Sequence, residues 1–202
     1  LTIFLVVGFT FQFCNPDDCG CPPFQGDYFD IQGVELVNYQ TREDCSRCIR
    51  LIEEEESVRF ADYRYLSVDY QVEYYGDDLA ATPKQSFSLI NSAFACSCIE
   101  DGYFGSQDER LDDLTVITLN DFDEQHRAGD TINDLLEVQF FDESTDLNEY
   151  LALDTALIKY DQLGLALKKA PDLNEEYHVR VDVKLSTGEV YQTQSRPIRI
   201  IN

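Results

Sequence analysis

The seven cysteines are the residues of this sequence with the most distinctive chemistry. Thiols form disulfides, bind metals or exchange with other disulfides, and their spacing favours one of these uses. Cys14 has no partner at very short spacing. The other six form two Cys-x-Cys pairs and one Cys-x-x-Cys motif: Cys19 and Cys21, Cys96 and Cys98, and Cys45 and Cys48. An odd number of cysteines in an exported protein indicates a separate role for one of them.

The six paired cysteines predict three disulfides, because disulfides persist outside the cytosol. Thiolates at Cys-x-x-Cys spacing can instead share a zinc ion, and the same motif serves redox chemistry when it follows a strand in a βαβ unit. We favour disulfides over both alternatives. A bond within either Cys-x-Cys pair would be strained, whereas a bond between Cys45 and Cys48 stays open. That bond would leave the two Cys-x-Cys pairs to join each other.

Export is indicated by residues 1–13, an apolar run without a charge. The run is too short to span a bilayer as a helix but suits the hydrophobic region of a secretory signal. A buried strand is the alternative, because three of its phenylalanines alternate with polar residues. Cys14 follows directly, where a bacterial lipoprotein carries its lipid-modified cysteine. We therefore predict a signal segment over residues 1–13, a lipid-anchor tether over 14–27 and a single domain over 28–202.

A second group of residues with suitable chemistry lies around His126, one of two histidines. Asp121 and Asp123 precede it closely, and carboxylates with an imidazole can bind a metal through oxygen and nitrogen. We favour a charged loop without a metal, so these three residues are weak metal candidates and no cofactor is predicted. His178 lies on the polar face of a predicted strand and is expected to be solvated.

Motifs of catalysis are absent from the sequence, including Gly-x-Ser-x-Gly, a phosphate-binding glycine loop, His-Glu-x-x-His and an EF-hand loop. Because there are 39 aspartates and glutamates, a glycosidase pair of carboxylates cannot be named. We therefore predict a binding or adhesion module that is not an enzyme, for an unknown protein or glycan ligand. The alternative is a secreted hydrolase with glycosidase-like carboxylate chemistry.

Aromatic residues offer one candidate surface for such a ligand. Tyr75, Tyr103 and Phe104 lie next to glycines and could form a platform for a sugar ring. Tyr70 and Tyr74 fall on the apolar face of a predicted strand and are expected in the core. The net charge of −24 repels phosphate backbones and anionic lipids, so we exclude nucleic acid and expect membrane contact only through a lipid anchor.

Periodic hydrophobic patterns place most of these residues on strands. Residues 177–185 alternate strictly, residues 186–189 form a turn in which Gly188 takes a positive φ, and Pro197 belongs at a sheet edge or after a strand break. This terminal hairpin must lay its valine face on another sheet. Further strands are predicted over residues 28–39 with a bulge at Gly33, 66–74, 114–119 (buried on both faces), 135–141 and 163–167.

Helices are predicted at two short segments. Thr41 to Asp44 resembles a capping box, and apolar residues at helical spacing follow over residues 45–52. Residues 146–153 suit a helical turn capped by Asp146 or Asn148. The fold class is therefore mainly β: an antiparallel two-sheet β-sandwich, Ig-like in general architecture, with one or two short helices and disulfide-held loops.

Several motifs resemble an uncharacterised family of Bacteroidota lipoproteins of about this length. Cys14-Asn15-Pro16-Asp17-Asp18 looks like their lipidated cysteine followed by an acidic signal for surface export, although Gln12-Phe13 departs from the small residues of a lipobox. The resemblance also covers CPPFQGDYFDIQGVEL, SLINSAFACSC and most of residues 114–202. It implies a β-rich outer-membrane lipoprotein that faces the cell surface, with the periplasm as the alternative location. It implies no activity.

The same resemblance implies a modification. Asp130-Thr131-Ile132 and Asp154-Thr155-Ala156 look like the Asp-Thr-apolar tripeptide that Bacteroidota use for O-glycosylation of exported proteins. Thr131 and Thr155 are therefore candidate glycan carriers. Both fall in segments predicted to be turn or loop, where a bulky soluble group can be carried without burying polar atoms.

A substitution tests the lipid anchor. Cys14→Ser should release the protein from membranes without unfolding it, because so acidic a domain has nothing else to hold it to a bilayer. Membrane fractionation and radiolabelled palmitate report the change. Equal palmitate incorporation into the variant and the unaltered chain would contradict the assignment.

Overall fold

The computed structural model describes residues 23–42, 44–53, 56–76, 100–140, 143–153 and 158–202. These residues form a mainly β structure with one α-helix. The strands are β1 (Tyr28–Arg42), β2 (Cys45–Leu51), β3 (Ser57–Arg59), β4 (Tyr63–Tyr75), β5 (Leu111–Thr118), β6 (Leu136–Phe140), β7 (Glu143–Asp146), β8 (Gln162–Leu167), β9 (Glu176–Tyr177), β10 (Val179–Leu185), β11 (Val190–Gln194) and β12 (Ile198–Ile201). The helix is α1 (Leu147–Ala152), and Asn133–Leu135 forms a 3-10 turn.

The strands form three sheets. The largest has the order β2-β1-β4-β8-β6-β7, and the two smaller ones have the orders β11-β10-β5 and β3-β12-β9. Neighbours pair antiparallel, as predicted, except that β3 and β12 are parallel. All the strand segments predicted from alternation are strands in the structure, so the prediction of a β-rich fold is confirmed.

The long pairing of β1 with β4 contains the bulge predicted at Gly33. Ile31 pairs with Val72 and Gly33 with Gln71, so Gln32 is the extra residue. Among the described residues, Ile31 has a strand neighbour on one side only, because β2 pairs with residues 39–42. Its N–H donates to the Glu109 carboxylate at 3.1 Å, and its carbonyl accepts a 2.8 Å hydrogen bond from the Tyr191 hydroxyl.

One hydrophobic core receives residues from all three sheets. In β10 the buried residues alternate with half-buried or exposed ones, so the valine face is covered as the terminal hairpin required. The segment 114–119 was expected to be buried on both faces. Only one face is fully buried, because Leu114 and Val116 are inaccessible to solvent while Thr115 and Ile117 on the other face are half-buried.

The terminal hairpin is divided between two sheets. β10 and β11 pair around the turn at Gly188, whose φ is 105°. Beyond Ser195 the chain leaves this sheet, and Ile198 pairs with Tyr177 in the sheet of β3, β12 and β9. Pro197 lies between the two strands, so the predicted strand break is confirmed. The physical reason is that proline has no N–H for the ladder.

The helix predicted over residues 45–52 is wrong, because this segment is the edge strand β2. Thr41 pairs with Ile49 and Arg42 with Cys45, so residues 46–48 bulge out of the ladder. In a regular strand, residues three apart are separated by about 10 Å. The Cα atoms of Cys45 and Cys48 are 5.2 Å apart and a disulfide joins them. The three bulged residues, and not a helical turn, bring the two cysteines close together.

The second predicted helix is confirmed as α1. Asp146 is its N-cap, and its Oδ1 accepts hydrogen bonds from Asn148 N–H at 2.9 Å and Glu149 N–H at 3.2 Å. In the described ranges, no helix is both long and apolar enough to cross a membrane.

Several sequence predictions lie outside the described residues. They concern the signal segment, Cys14, most of the tether, Cys19, Cys21, Cys96, Cys98 and Thr155. The Cys45–Cys48 disulfide removes the competing use of this motif as a zinc site in the oxidised protein. The pairing of the remaining cysteines stays a prediction.

The small loop closed by Cys45 and Cys48 limits what this disulfide can contribute. In the chain-entropy picture, closing a loop of this size stabilises the fold by about 2 kcal/mol, less than a long loop would. Replacing both cysteines by serine should lower the free energy of unfolding by about that amount, measured by denaturant titration. A loss above about 4 kcal/mol would show that the disulfide also organises the β1–β2 hairpin.

Candidate functional site

The loop around His126 is held together by hydrogen bonds between its own residues. The imidazole Nδ1 lies 2.9 Å from Asp123 Oδ1, and Nε2 lies 3.2 Å from Asp134 Oδ1. Asp123 Oδ1 also accepts the backbone N–H groups of Gln125 and His126 at 2.8 and 2.7 Å. Both imidazole nitrogens therefore already have carboxylate partners.

Asp123 is the centre of this loop. It is 5% exposed, and its Oδ2 pairs with the Lys169 ammonium at 2.7 Å. Burial alone would raise the pKa of Asp123, but hydrogen bonds from Lys169, His126 and the backbone hold this pKa below its ordinary value. The carboxylate thus acts as a charged anchor for the loop.

Asp121 has different hydrogen-bond and ion-pair partners from Asp123. Its Oδ2 pairs with Arg127 at 3.3 Å, and its Oδ1 accepts the Ala128 N–H at 3.1 Å. Within the described ranges, no three histidine, cysteine, aspartate or glutamate residues are grouped so as to hold a metal ion. The three weak metal candidates are accordingly explained as partners within a charged loop.

Other predicted residues fall at separate places. Thr131 is exposed beside β5, where its backbone bridges to Ile117, so its hydroxyl is accessible as a glycan carrier requires. His178 lies between β9 and β10 and is half-buried, so it is less solvated than expected. Neither residue belongs to the His126 loop.

A cluster of aromatic rings lies at the end of the β1–β4 pair. Tyr28 stacks on Tyr75 with ring centroids 5.9 Å apart and lies 5.4 Å from Phe104, which in turn contacts Tyr103 at 5.3 Å. Tyr75, Tyr103 and Phe104 are exposed, as the sequence indicated, and Tyr103 is the most exposed at 55%. We call these four residues the aromatic cluster.

A cleft of about 490 Å³ opens beside the aromatic cluster. This volume lies in the range of small-ligand pockets. Phe29 and Tyr74 contribute aromatic surface to it, and Tyr74 is half-buried there rather than fully in the core as predicted. The remaining lining residues are Glu100, Asp101, Gly102, Tyr103, Lys159, Tyr160 and Asp161.

Backbone hydrogen bonds fix one wall of the cleft to the start of β1. The Gly102 N–H donates to Gly26 O at 2.8 Å, and the Phe104 N–H donates to Asp27 O at 2.9 Å. Gly102 has a φ of 66°, and a Cβ there would lie 2.8 Å from the Phe29 ring, so a larger residue would be strained and crowded. The position of Tyr103 is therefore set by the β1 end.

The opposite wall comes from the segment before β8. The Asp161 carbonyl accepts the Tyr70 N–H at 2.8 Å, and the Ile158 carbonyl accepts the Ser106 N–H at 2.8 Å. These bonds bring residues 158–161 to the loop at residues 100–106. Sequence reasoning missed Glu100, Lys159, Tyr160 and Asp161, because no local pattern indicates that these two segments meet.

Charge in the cleft is predominantly negative. Among the lining residues that the structure describes, the carboxylates of Glu100, Asp101 and Asp161 stand against the single ammonium of Lys159. Asp101 is already engaged, since its two oxygens accept Gln25 N–H at 2.7 Å and Gln25 Nε2–H at 3.3 Å. Glu100 and Asp161 are exposed. An anionic ligand would be repelled here, whereas a neutral or cationic one would not.

Comparison with known proteins adds no assignment to this geometry. No family model, no curated protein and no solved structure matches the chain. The function must therefore be argued from the cleft itself.

The anchoring role of Asp123 predicts a pH effect on stability. Because its pKa is depressed on folding, its stabilising contribution is complete above the unfolded-state value of about 3.9 and disappears as the pH falls towards the folded-state pKa. Asp123→Asn should cost about 2 to 3 kcal/mol at pH 7 and flatten the dependence of stability on pH below about 4. Denaturant titrations across this range measure both effects.

Asp172→Asn is the matched control. Asp172 pairs with the same Lys169 at 3.1 Å, but its side chain is 60% exposed, so its loss should cost well under 1 kcal/mol. Equal losses in the two variants would contradict the special role of Asp123.

Proposed function

We propose that the protein is an exported surface lipoprotein, related to the Bacteroidota lipoproteins it resembles and anchored through Cys14. Its domain would serve as a binding or adhesion module whose ligand enters the cleft. The observation that carries this proposal is the cleft itself: it has the volume of a small-ligand site and joins an exposed aromatic cluster. Exposed aromatic rings beside accessible carboxylates are typical of recognition surfaces.

We also propose a two-sheet β-sandwich as the architecture that carries the cleft. The six-stranded sheet and the sheet of β5, β10 and β11 each direct one alternating face into the common core. The Tyr191–Ile31 hydrogen bond links β11 to β1 between these sheets. The Ig-like arrangement belongs to this proposal, and the small sheet of β3, β9 and β12 would be an addition to it.

Binding is favoured over hydrolysis by how the carboxylates are used. Asp101 is engaged by Gln25, and the buried carboxylate of Glu109 serves a backbone N–H and a hydroxyl. Glu109 is 3% exposed and accepts both the Ile31 N–H and the Ser106 hydroxyl. Burial raises the pKa of Glu109, but its oxygens face the β1 bulge rather than the cleft lining. Glu100 and Asp161 are the carboxylates that a hydrolase would use.

A panel of probes tests the proposed site on the whole chain. We would titrate maltotetraose, cellotetraose, a lysine tetrapeptide amide and a glutamate tetrapeptide amide by calorimetry. At least one neutral or cationic probe should bind, and Tyr103→Ala and Tyr160→Ala should each weaken it by about tenfold because an aromatic contact is lost. The glutamate peptide should not bind.

Leu173→Ala is the control, because Leu173 is 48% exposed and does not line the cleft. It should leave the affinity unchanged. If Tyr103→Ala and Tyr160→Ala bind a probe as tightly as Leu173→Ala does, the cleft is rejected as the ligand site. The cleft is also rejected if the unaltered chain binds none of the probes. The hydrolase would be favoured instead if mass spectrometry shows that the unaltered chain cleaves an oligosaccharide and that Asp161→Asn does not.

A further inference from the structure

Lys159 interacts with its surroundings differently from most of the described lysines and arginines. Its ammonium lies over the Tyr103 ring, 4.9 Å from the centroid, and donates a hydrogen bond to the Tyr103 carbonyl oxygen. Most of the others pair with carboxylates, as Lys168 does with Asp146. Within the part of the chain that the structure describes, Lys159 forms no ion pair, although three carboxylates line the same cleft.

The contacts of Lys159 define a position for an ammonium group. An aromatic face attracts a cation through its quadrupole, and a backbone carbonyl accepts one of the three N–H donors. Tyr160 adds a second ring to the lining, and the exposed carboxylates of Glu100 and Asp161 add negative charge. This combination of rings, a carbonyl and carboxylates suits an organic cation.

We propose that the cleft receives a lysine side chain of a basic partner polypeptide, and that Lys159 occupies the ammonium position until the partner displaces it. This inference rests on the proposed function and names the ligand class for that site. Lys159 is itself a lysine side chain in the position assigned to the ligand. Because Lys159 is exposed and forms only a cation–π contact and one hydrogen bond there, its displacement is easy.

Charge over the whole molecule supports a basic partner. A net charge of −24 attracts polycations and accelerates their association at low ionic strength. A second basic residue of the partner could pair with Glu100 or Asp161, for which no ion pair with Lys159 is formed. The partner therefore gains interactions that the resident side chain lacks, which is the differential affinity that displacement requires.

The test is a titration of the whole chain with the lysine tetrapeptide amide at low salt. Lys159→Met removes the competing ammonium but keeps an apolar stem, so it should tighten binding by roughly two- to fivefold. Lys184→Met is the matched control, since it removes the same charge from an exposed Lys184–Asp112 pair that does not line the cleft. It should change the affinity by much less.

A second pair of variants examines the carboxylates. Asp161→Asn should weaken binding several-fold, whereas Glu149→Gln on α1 removes the same charge away from the cleft lining and should have little effect. Thermal unfolding of all four variants verifies that each is folded. Affinity of the unaltered chain for the peptide should fall steeply between low salt and 0.5 M salt, because added salt shortens the Debye length from about 30 Å at 0.01 M to below about 10 Å and so screens the attraction.

Three outcomes would overturn the inference. Lys159→Met that weakens the peptide or leaves its affinity unchanged would show that Lys159 does not compete for the site. If Lys159→Met and Lys184→Met change the affinity for the peptide equally, the change is caused by the overall charge and not by the position of Lys159. If a neutral oligosaccharide binds, its binding depends on Tyr103 and the lysine peptide does not bind, the lysine assignment is rejected. The cleft then remains the ligand site.

Discussion

The antiparallel pairing of β1 with β4 is the interaction on which the rest of this structure depends. The two strands are hydrogen-bonded from Tyr28–Tyr75 at one end to Gln40–Tyr63 at the other. At the first end, β1 fixes the loop that carries Tyr103 and supports the cleft. At the other end, β1 continues beyond β4 to pair with β2 and its disulfide-closed bulge.

The edge of β1 that faces away from β4 is linked at Ile31 to two distant parts of the chain. Among the described residues no strand pairs with this edge at Ile31, and buried backbone groups are costly unless other partners are found. Glu109 and Tyr191 supply those partners for Ile31. Because the Glu109 carboxylate also accepts the Ser106 hydroxyl, the loop before β5 is tied to the same point. Hydrogen bonds to this edge of β1 thereby hold the region next to the cleft in place.

Acidic residues have two different roles in this molecule. Asp123 and Glu109 are buried acceptors that organise loops and a strand bulge, and their replacement would leave buried donors unpaired. Glu100 and Asp161 remain exposed at the cleft, where their charge is available to a ligand. The net charge alone does not distinguish these roles, since the distinction depends on burial and on hydrogen-bond partners.

Local patterns in the sequence were sufficient to predict the β-rich class, the strands with strict alternation, the bulge at Gly33, the Asp146 cap and the turn at Gly188. These features depend on local patterns, because side-chain periodicity and backbone freedom act over a few residues. The sequence also identified Tyr75, Tyr103 and Phe104 as exposed rings. The helical spacing after Cys45 was misleading, since Cys45 and Ile49 pair with adjacent residues of β1 and therefore do not share a face.

The candidate site, in contrast, depends on tertiary contacts. Lys159, Tyr160 and Asp161 reach Tyr103 because hydrogen bonds from Tyr70 and Ser106 hold residues 158–161 beside the loop at residues 100–106. Tertiary contacts also divide the terminal hairpin between two sheets and pair β12 with β3 in parallel. Contacts between segments so distant along the chain depend on how whole strands pack, and no short sequence pattern encodes them.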